Sequence, residues 1–273
     1  ENRYAARVRA NNFKDGQKLA FDGNVNNTSA TDGLRNNRYL KLNYDAEWGE
    51  QINSYGSYRF SNNDNHLTEK IARQDFYSDF TRYEDEEKLN TNRNNDHRFS
   101  WNLEYRMDKN NYLKVEPNIS FGSSSSGNTG FANTRLLSSR SVRNYNSQTN
   151  GSSSGFGTAL YYNHSFNKPV RNFSLNADIN ISGNKDDREV RNEYTITDSL
   201  SNTSYEEQQQ LWNSRANSKK TRVEVSYMEP VNKRSFIELE YDWSRTGNET
   251  IRHVRDGKLA VDSGYIASLS NNY

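Results

Sequence analysis

The sequence predicts an all-β protein, an antiparallel meander of about ten strands that are each long enough to cross a membrane. Three observations predict this fold class. Apolar and polar residues alternate in paired segments, a compact turn joins the two members of each pair, and much longer polar segments separate the pairs. Because successive side chains of a strand point to opposite faces, this alternation gives every strand one apolar and one polar face.

The first two predicted hairpins surround short turns near residues 14–17 and 47–50. The first turn contains Asp15-Gly16, and this dipeptide between alternating segments is a strong hairpin signal. Around the second turn, one face receives Leu40 and Leu42 before it and Tyr58 and Phe60 after it. Both segments therefore predict pairs of adjacent antiparallel strands.

The remaining three hairpins surround short turns near residues 108–111, 167–171 and 229–233. The last one shows the alternation most clearly, because the strand after its turn places apolar and acidic side chains on opposite faces. Its apolar side chains are Ile237, Leu239, Tyr241 and Trp243, and its acidic ones are Glu238, Glu240 and Asp242. The predicted strands are roughly 9 to 11 residues long, which is the length that a tilted strand needs to span a bilayer.

The connections between hairpins differ from the turns within them. Turn centres near residues 48, 109, 168 and 231 are roughly 60 residues apart, far more than two such strands require. The excess predicts long outer loops near residues 61–96, 122–155, 183–219 and 247–268. Short turns at one end and long loops at the other are typical of outer-membrane barrels, whereas a soluble sandwich has short connections at both ends.

The composition is consistent with a wide barrel. Hydrophobic residues make up 32% of the 273 residues and the mean hydropathy is -1.16, yet 12% of the residues are aromatic. A barrel with a polar interior needs no dry core, so low hydropathy and ordered strands can coexist. The net charge of +1 gives no indication of a nucleic-acid partner.

The alternation also predicts which side chains contact lipid. The lipid-facing set is Leu175, Ile179, Val223, Val225, Ile237, Leu239, Leu103 and Val115. Aromatic residues near the short turns predict an interfacial girdle, although Tyr and Trp also favour strands in general. The girdle set is Tyr44, Trp48, Trp101, Tyr105, Phe166 and Tyr227. Pro117 interrupts one of the apolar stripes, and we expect a β-bulge there.

No signature of catalysis, metal binding or cofactor binding accompanies these strands. The chain has no Cys, and its four His residues share no ligand spacing. The acidic run at residues 84–87 lacks the glycine of a calcium loop and is typical of a solvated surface. We therefore predict that the protein is not an enzyme and has no metal ion or cofactor, while the ligand-binding residues stay unassigned.

Four stretches resemble a known family, namely residues 11–27, 44–65, 93–121 and 227–244. They are similar to the outer-membrane β-barrels of TonB-dependent-receptor-like proteins from Bacteroidetes-type bacteria. The resemblance lies in turns and strands, and it implies a barrel of about 22 strands with an N-terminal plug. Since alternation is already under way at Tyr4 and a further strand would start near residue 271, we expect residues 1–273 to be an internal piece of that barrel.

The leading hypothesis is therefore a segment of a receptor or transporter in the cell outer membrane. Its expected partners are the lipid bilayer, an unknown extracellular ligand captured by the outer loops, and the TonB system, reached through parts outside this sequence. One alternative is a structural or adhesive surface protein that transports nothing. A second is a soluble extracellular β-rich binding domain, because one face of an antiparallel sheet can be solvated.

Overall fold

The computed structural model describes residues 3–30, 33–258 and 266–272, and these residues form one antiparallel sheet. Its strands follow one another in chain order from β1 to β11, so every connection joins neighbouring strands. The strands are β1 (Tyr4–Lys14), β2 (Gln17–Ala30), β3 (Gly33–Trp48), β4 (Ile52–Phe76), β5 (Thr81–Arg106), β6 (Asn111–Arg135), β7 (Ser139–Ser165), β8 (Asn172–Asp198), β9 (Thr203–Pro230), β10 (Phe236–Asp256) and β11 (Asn271–Asn272). The predicted all-β meander is confirmed, and within the described residues there is no helix long and apolar enough to cross a membrane.

Turns lie at one end of the sheet where the alternation predicts them. They occupy residues 15–16, 49–51, 107–110, 166–171 and 231–235. In the first, Asp15 and Gly16 both have positive φ angles, of 45° and 77°, as a type I′ hairpin turn requires. The Asp-Gly pair therefore fixes the register in which Lys14 pairs with Gln17.

The expected long loops are wrong as loops, because their residues continue the strands. Strands β4 to β9 are 25 to 28 residues long. Residues 61–96, for example, form the distal parts of β4 and β5, joined by the four residues 77–80. Similar short connections occupy residues 136–138 and 199–202, and residues 259–265 of the fourth expected loop lie outside the described part of the chain.

These distal strands pair without an apolar stripe because their polar side chains bond across the ladder. On β4, Glu69 accepts a hydrogen bond from Asn90 of β5 at 2.9 Å and lies 3.0 Å from the Lys88 ammonium. Lys70 lies 3.3 Å from Glu87 in the same pair of strands. Opposite charges and amides across a ladder stabilise it by a few tenths of a kcal/mol to about 1 kcal/mol per pair. Such pairs contain no apolar residue, so alternation of apolar residues in the sequence does not reveal them.

The predicted β-bulge at Pro117 is also wrong. Pairing between β5 and β6 stops after Ser100–Asn118 and resumes at Leu103–Val115, with the same number of residues omitted from each strand. A bulge would require an extra residue in one strand. The ladder is therefore interrupted, but its register does not change.

Backbone direction explains why only one neighbour of Pro117 is affected. Met107 donates its N–H to the Asn111 carbonyl of β6 at 3.0 Å, and every second residue of β5 presents its backbone in the same direction. Trp101 is one of these residues and stands opposite Pro117, which has no N–H to donate. On the other side, Pro117 remains paired with Thr158 of β7. The missing donor therefore interrupts the ladder between β5 and β6 and leaves the ladder between β6 and β7 intact.

Candidate functional site

The most distinctive surface is an apolar band on one face of the sheet, in the part nearest the turns. One row of cross-strand partners in it is Trp48, Ile52, Tyr105, Leu113, Tyr162, Leu175, Val225 and Tyr241. Its last apolar row contains Leu40, Phe60, His97 and Phe121. On β6 the band therefore runs from Leu113 to Phe121, about 26 Å of strand at roughly 3.3 Å per residue. We call this surface the apolar band.

Nothing in the described residues covers the apolar band. On the inner strand β6 the exposed fractions of Phe121 and Ile119 are 52% and 41%, and on β10, at the edge of the sheet, that of Leu239 is 64%. The buried hydrophobic residues of the described chain are only Ala46, Ala132 and Val254. A soluble domain buries such a stripe in a core, and a contiguous exposed one marks a contact with a membrane or a partner.

The eight residues predicted to face lipid all point to the face of the apolar band. Their partners settle this, because directly paired residues share a face. Leu103 pairs with Val115, Leu175 with Val225, and Leu239 with Tyr227. The pairings of the remaining members, Ile179, Val223 and Ile237, place them on the same face. Contact of this face with lipid stays a prediction.

The six predicted girdle aromatics occupy two different places. Trp48, Tyr105, Phe166 and Tyr227 lie at or near the turns, with Phe166 and Tyr227 ring centroids 6.3 Å apart. Tyr44 and Trp101 lie deeper, at mid-band, where their rings stack at 5.6 Å. Trp101 also lies 5.8 Å from Phe99, so it belongs to a packed aromatic cluster of the band itself.

A second row of rings, which the sequence did not reveal, lies at the distal border of the apolar band. The His97 ring stacks on Phe121 at 4.6 Å and lies 4.8 Å from Phe60, and its Nδ1 is 2.8 Å from the Tyr58 hydroxyl. These residues come from three strands, and only the register brings them together. Rings with polar groups at both borders of an apolar band are typical of a membrane interface.

The opposite face of the same strand segments is polar. It carries ion pairs such as Arg7–Asp22 at 2.6 Å and Arg222–Glu224 at 2.9 Å, and Arg222 also pairs with Asp242. Beyond the apolar band, both faces of the distal strands are mainly polar. The sheet therefore has one apolar surface about nine residues deep. Elsewhere it is mainly polar, with scattered exposed apolar side chains in the distal strands, such as Leu89 and Phe131, and at the distal turns, such as Leu137 and Leu200.

The turn end of β9 carries the densest charged cluster. Glu229 accepts hydrogen bonds from Arg171 at 2.6 and 2.7 Å, from Lys168 at 2.8 Å and from the Tyr227 hydroxyl at 2.7 Å. These donors favour the ionised carboxylate, with Arg171 contributing most, and hold the pKa of Glu229 well below its usual range. The cluster links the turn before β8 to the turn end of β9.

We expect this cluster to make the protein less stable in acid. Because the pKa of Glu229 is lowered by folding, its contribution is complete above the ordinary glutamate pKa of about 4.3 and is lost as the pH falls below that value. Carboxyl NMR should show Glu229 titrating well below an unfolded-state glutamate. Arg171→Gln, which removes the strongest donor, should raise this pKa, and an ordinary pKa for Glu229 in the unsubstituted protein would contradict the expectation.

The described residues contain no group of three or more His, Asp or Glu side chains that could hold a metal ion. No protein-family model matches the sequence, and no curated protein matches it either. The apolar band, the polar face and the family resemblance therefore remain as the features that bear on function.

Proposed function

We propose that the chain is a segment of an outer-membrane β-barrel, with the apolar band in contact with lipid and the polar face directed to the interior. The observation that carries the proposal is the depth of the band. Nine residues on β6 match the 9 to 11 that a tilted transmembrane strand needs, and apolar bands of such barrels are about 25 Å tall. The exposure of Leu239 and its neighbours is explained if lipid covers them.

We further propose that this barrel belongs to a receptor or transporter. The distal halves of β4 to β9 would then project beyond the membrane as paired hairpins with polar faces and capture an extracellular ligand there. Passage through the barrel would depend on the plug and the TonB system that the family resemblance implies. The complete gene tests this part, because a plug domain encoded upstream supports transport, and its absence favours an adhesive role.

The four Trp residues allow a direct test of membrane contact. Trp48, Trp101 and Trp243 point to the face of the apolar band, whereas Trp212 lies on the other face and beyond the band. In vesicles containing brominated lipids, a single-Trp variant that retains Trp101 should be quenched strongly. The matched variant that retains Trp212 should be quenched weakly, because its ring stays in water.

Equal quenching of Trp101 and Trp212 would contradict the orientation of the sheet. A folded, monomeric protein in detergent-free buffer would contradict membrane insertion and favour a soluble binding domain. Either result leaves the strand order unaffected, because the strand order does not depend on lipid.

A further inference from the structure

Three cations lie side by side on the polar face, in the middle of the sheet. Lys41 of β3 pairs directly with Arg59 of β4, and Arg59 pairs directly with Arg98 of β5. Adjacent strands are about 4.8 Å apart, so the backbones of the three residues lie within about 10 Å of one another. We call Lys41, Arg59 and Arg98 the basic row.

Within the described residues, no carboxylate forms an ion pair with the basic row, although Asp96 lies on the same face two positions before Arg98. Asp22 stands opposite Lys41, but its carboxylate accepts two hydrogen bonds from Arg7, at 3.0 and 2.6 Å, and lies 3.7 Å from Arg9. None of the three cations is within 4.0 Å of an acidic side chain, although such pairs occur throughout the rest of the sheet. Like charges directly opposite each other destabilise a sheet, so this arrangement has a cost in the free protein.

The other side chains around the basic row carry hydroxyl groups. A cavity of about 490 Å³ is lined by Tyr39, Lys41, Ser57, Arg59, Arg98 and Ser100, and no acidic residue lines it. The Ser57 and Ser100 hydroxyls are 3.4 Å apart, in the row nearer the turns. The cavity thus combines three positive charges with hydroxyl donors and has room for a small ligand.

We propose that the basic row binds an oxyanion that carries two or more negative charges, such as a phosphate group. Guanidinium groups bind phosphate oxygens through paired N–H donors, and the Lys41 ammonium adds a third charge. Binding would neutralise the repulsion among the cations, which a singly charged carboxylate would do only in part. The site is defined by the charge of the ligand, so both a free polyphosphate and a phosphorylated group on a larger molecule would fit it.

The site does not depend on the proposed membrane orientation. It lies on the face opposite the apolar band, so the proposed lipid contact and the proposed anion binding can be tested independently. If the band contacts lipid, the basic row faces the barrel interior, where an anion meets it after passing the distal hairpins.

Pyrophosphate is the probe that we would use first, titrated calorimetrically into the whole folded chain in a neutral maltoside detergent at low salt. Arg59→Gln, which removes the central charge, should weaken binding roughly tenfold or more. Lys220→Gln is the matched control, since Lys220 is on the polar face of β9, opposite Asn180 and Thr246. It should change the affinity by less than about twofold, as expected for a distant screened charge. Acetate at equal ionic strength should bind much more weakly than pyrophosphate.

Thermal unfolding gives a second readout that a purely structural arginine would not produce. Without an anion, Arg59→Gln should melt at a higher temperature than the unsubstituted protein, because it relieves repulsion from both neighbours. Pyrophosphate should raise the melting temperature of the unsubstituted protein by more than that of the variant at the same concentration. Arg98→Gln serves the same purpose if Arg59→Gln does not fold. Equal losses of affinity in Arg59→Gln and Lys220→Gln, or no pyrophosphate-specific binding, would overturn the proposal.

Discussion

Leu175→Arg is expected to destabilise the protein in a lipid bilayer by about 1 to 2 kcal/mol, which is less than the cost of a cation at the midplane of a lipid-exposed barrel surface, because Leu175 lies in the row of the apolar band nearest the turns. Leu175 lies in the apolar band, directly between Tyr162 of β7 and Val225 of β9. An arginine there has no acidic neighbour in its row and must carry its charge into hydrocarbon or distort the strand to reach the interface.

The matched control is Asn176→Arg, one residue further along β8 and on the polar face. The Asn176 amide donates to the Glu224 carboxylate at 3.3 Å, so an arginine there gains an acidic neighbour. Its effect on stability should be within about 0.5 kcal/mol, as for surface substitutions in general. Reversible urea titrations in lipid vesicles measure both. Similar losses for the two variants would show that the faces are not in different environments, whereas a loss confined to Leu175→Arg supports lipid contact.

The turn end of the sheet could be predicted from the sequence because its signals are local. Asp15-Gly16 specifies a turn through its own backbone preferences, and the strict alternation after residue 235 assigns each side chain of β10 to a face. Because a shift of one residue would turn every apolar side chain to the wrong face, alternation also constrains the register. The residues predicted to face lipid consequently all lie on one face of the sheet.

The distal halves of the strands could not be predicted in the same way. Between residues 61 and 96 neither face is apolar, so the sequence lacks the period on which strand prediction depends. The structure continues the ladders there through pairs such as Lys88 and Glu69, which are 19 positions apart in the chain and become neighbours only through the register. A segment dense in polar residues therefore resembles a loop in the sequence, although it forms a strand in the structure.

The basic row was missed for a related reason. Lys41, Arg59 and Arg98 are separated by 18 and 39 positions, and no local motif connects them. Alternation places each of them on the polar face of its strand. It does not show that they are adjacent, since that requires the register of two separate hairpins. Pro117 is the converse case, in which a local signal was seen but the response of the sheet, an interrupted ladder in constant register, depends on which neighbour its nitrogen faces.

Gly56→Ala is expected to destabilise the protein by about 1 to 3 kcal/mol, the usual cost of overpacking a well-packed site. A Cβ at Gly56 would lie 2.4 Å from Trp101 Cε3 and 2.9 Å from Cδ2, far inside van der Waals contact. The Trp101 ring lies across this glycine and contacts Tyr44 and Phe99, so it cannot move without losing its stacking partners. Such coverage of a strand glycine by a cross-strand aromatic ring is a recognised way to pin register.

Gly247→Ala provides the matched control for Gly56→Ala. Gly247 of β10 has the same strand conformation, and a Cβ there would meet nothing within 4 Å. We therefore expect an effect within about 0.5 kcal/mol, as at other uncrowded surface positions. Unfolding titrations should be combined with Trp fluorescence of a variant that retains only Trp101, whose emission should shift when Gly56→Ala displaces the ring. If the two alanines cost the same and the emission of Trp101 does not change, the ring does not depend on Gly56, and the aromatic cluster would not be what holds β4 and β5 in register.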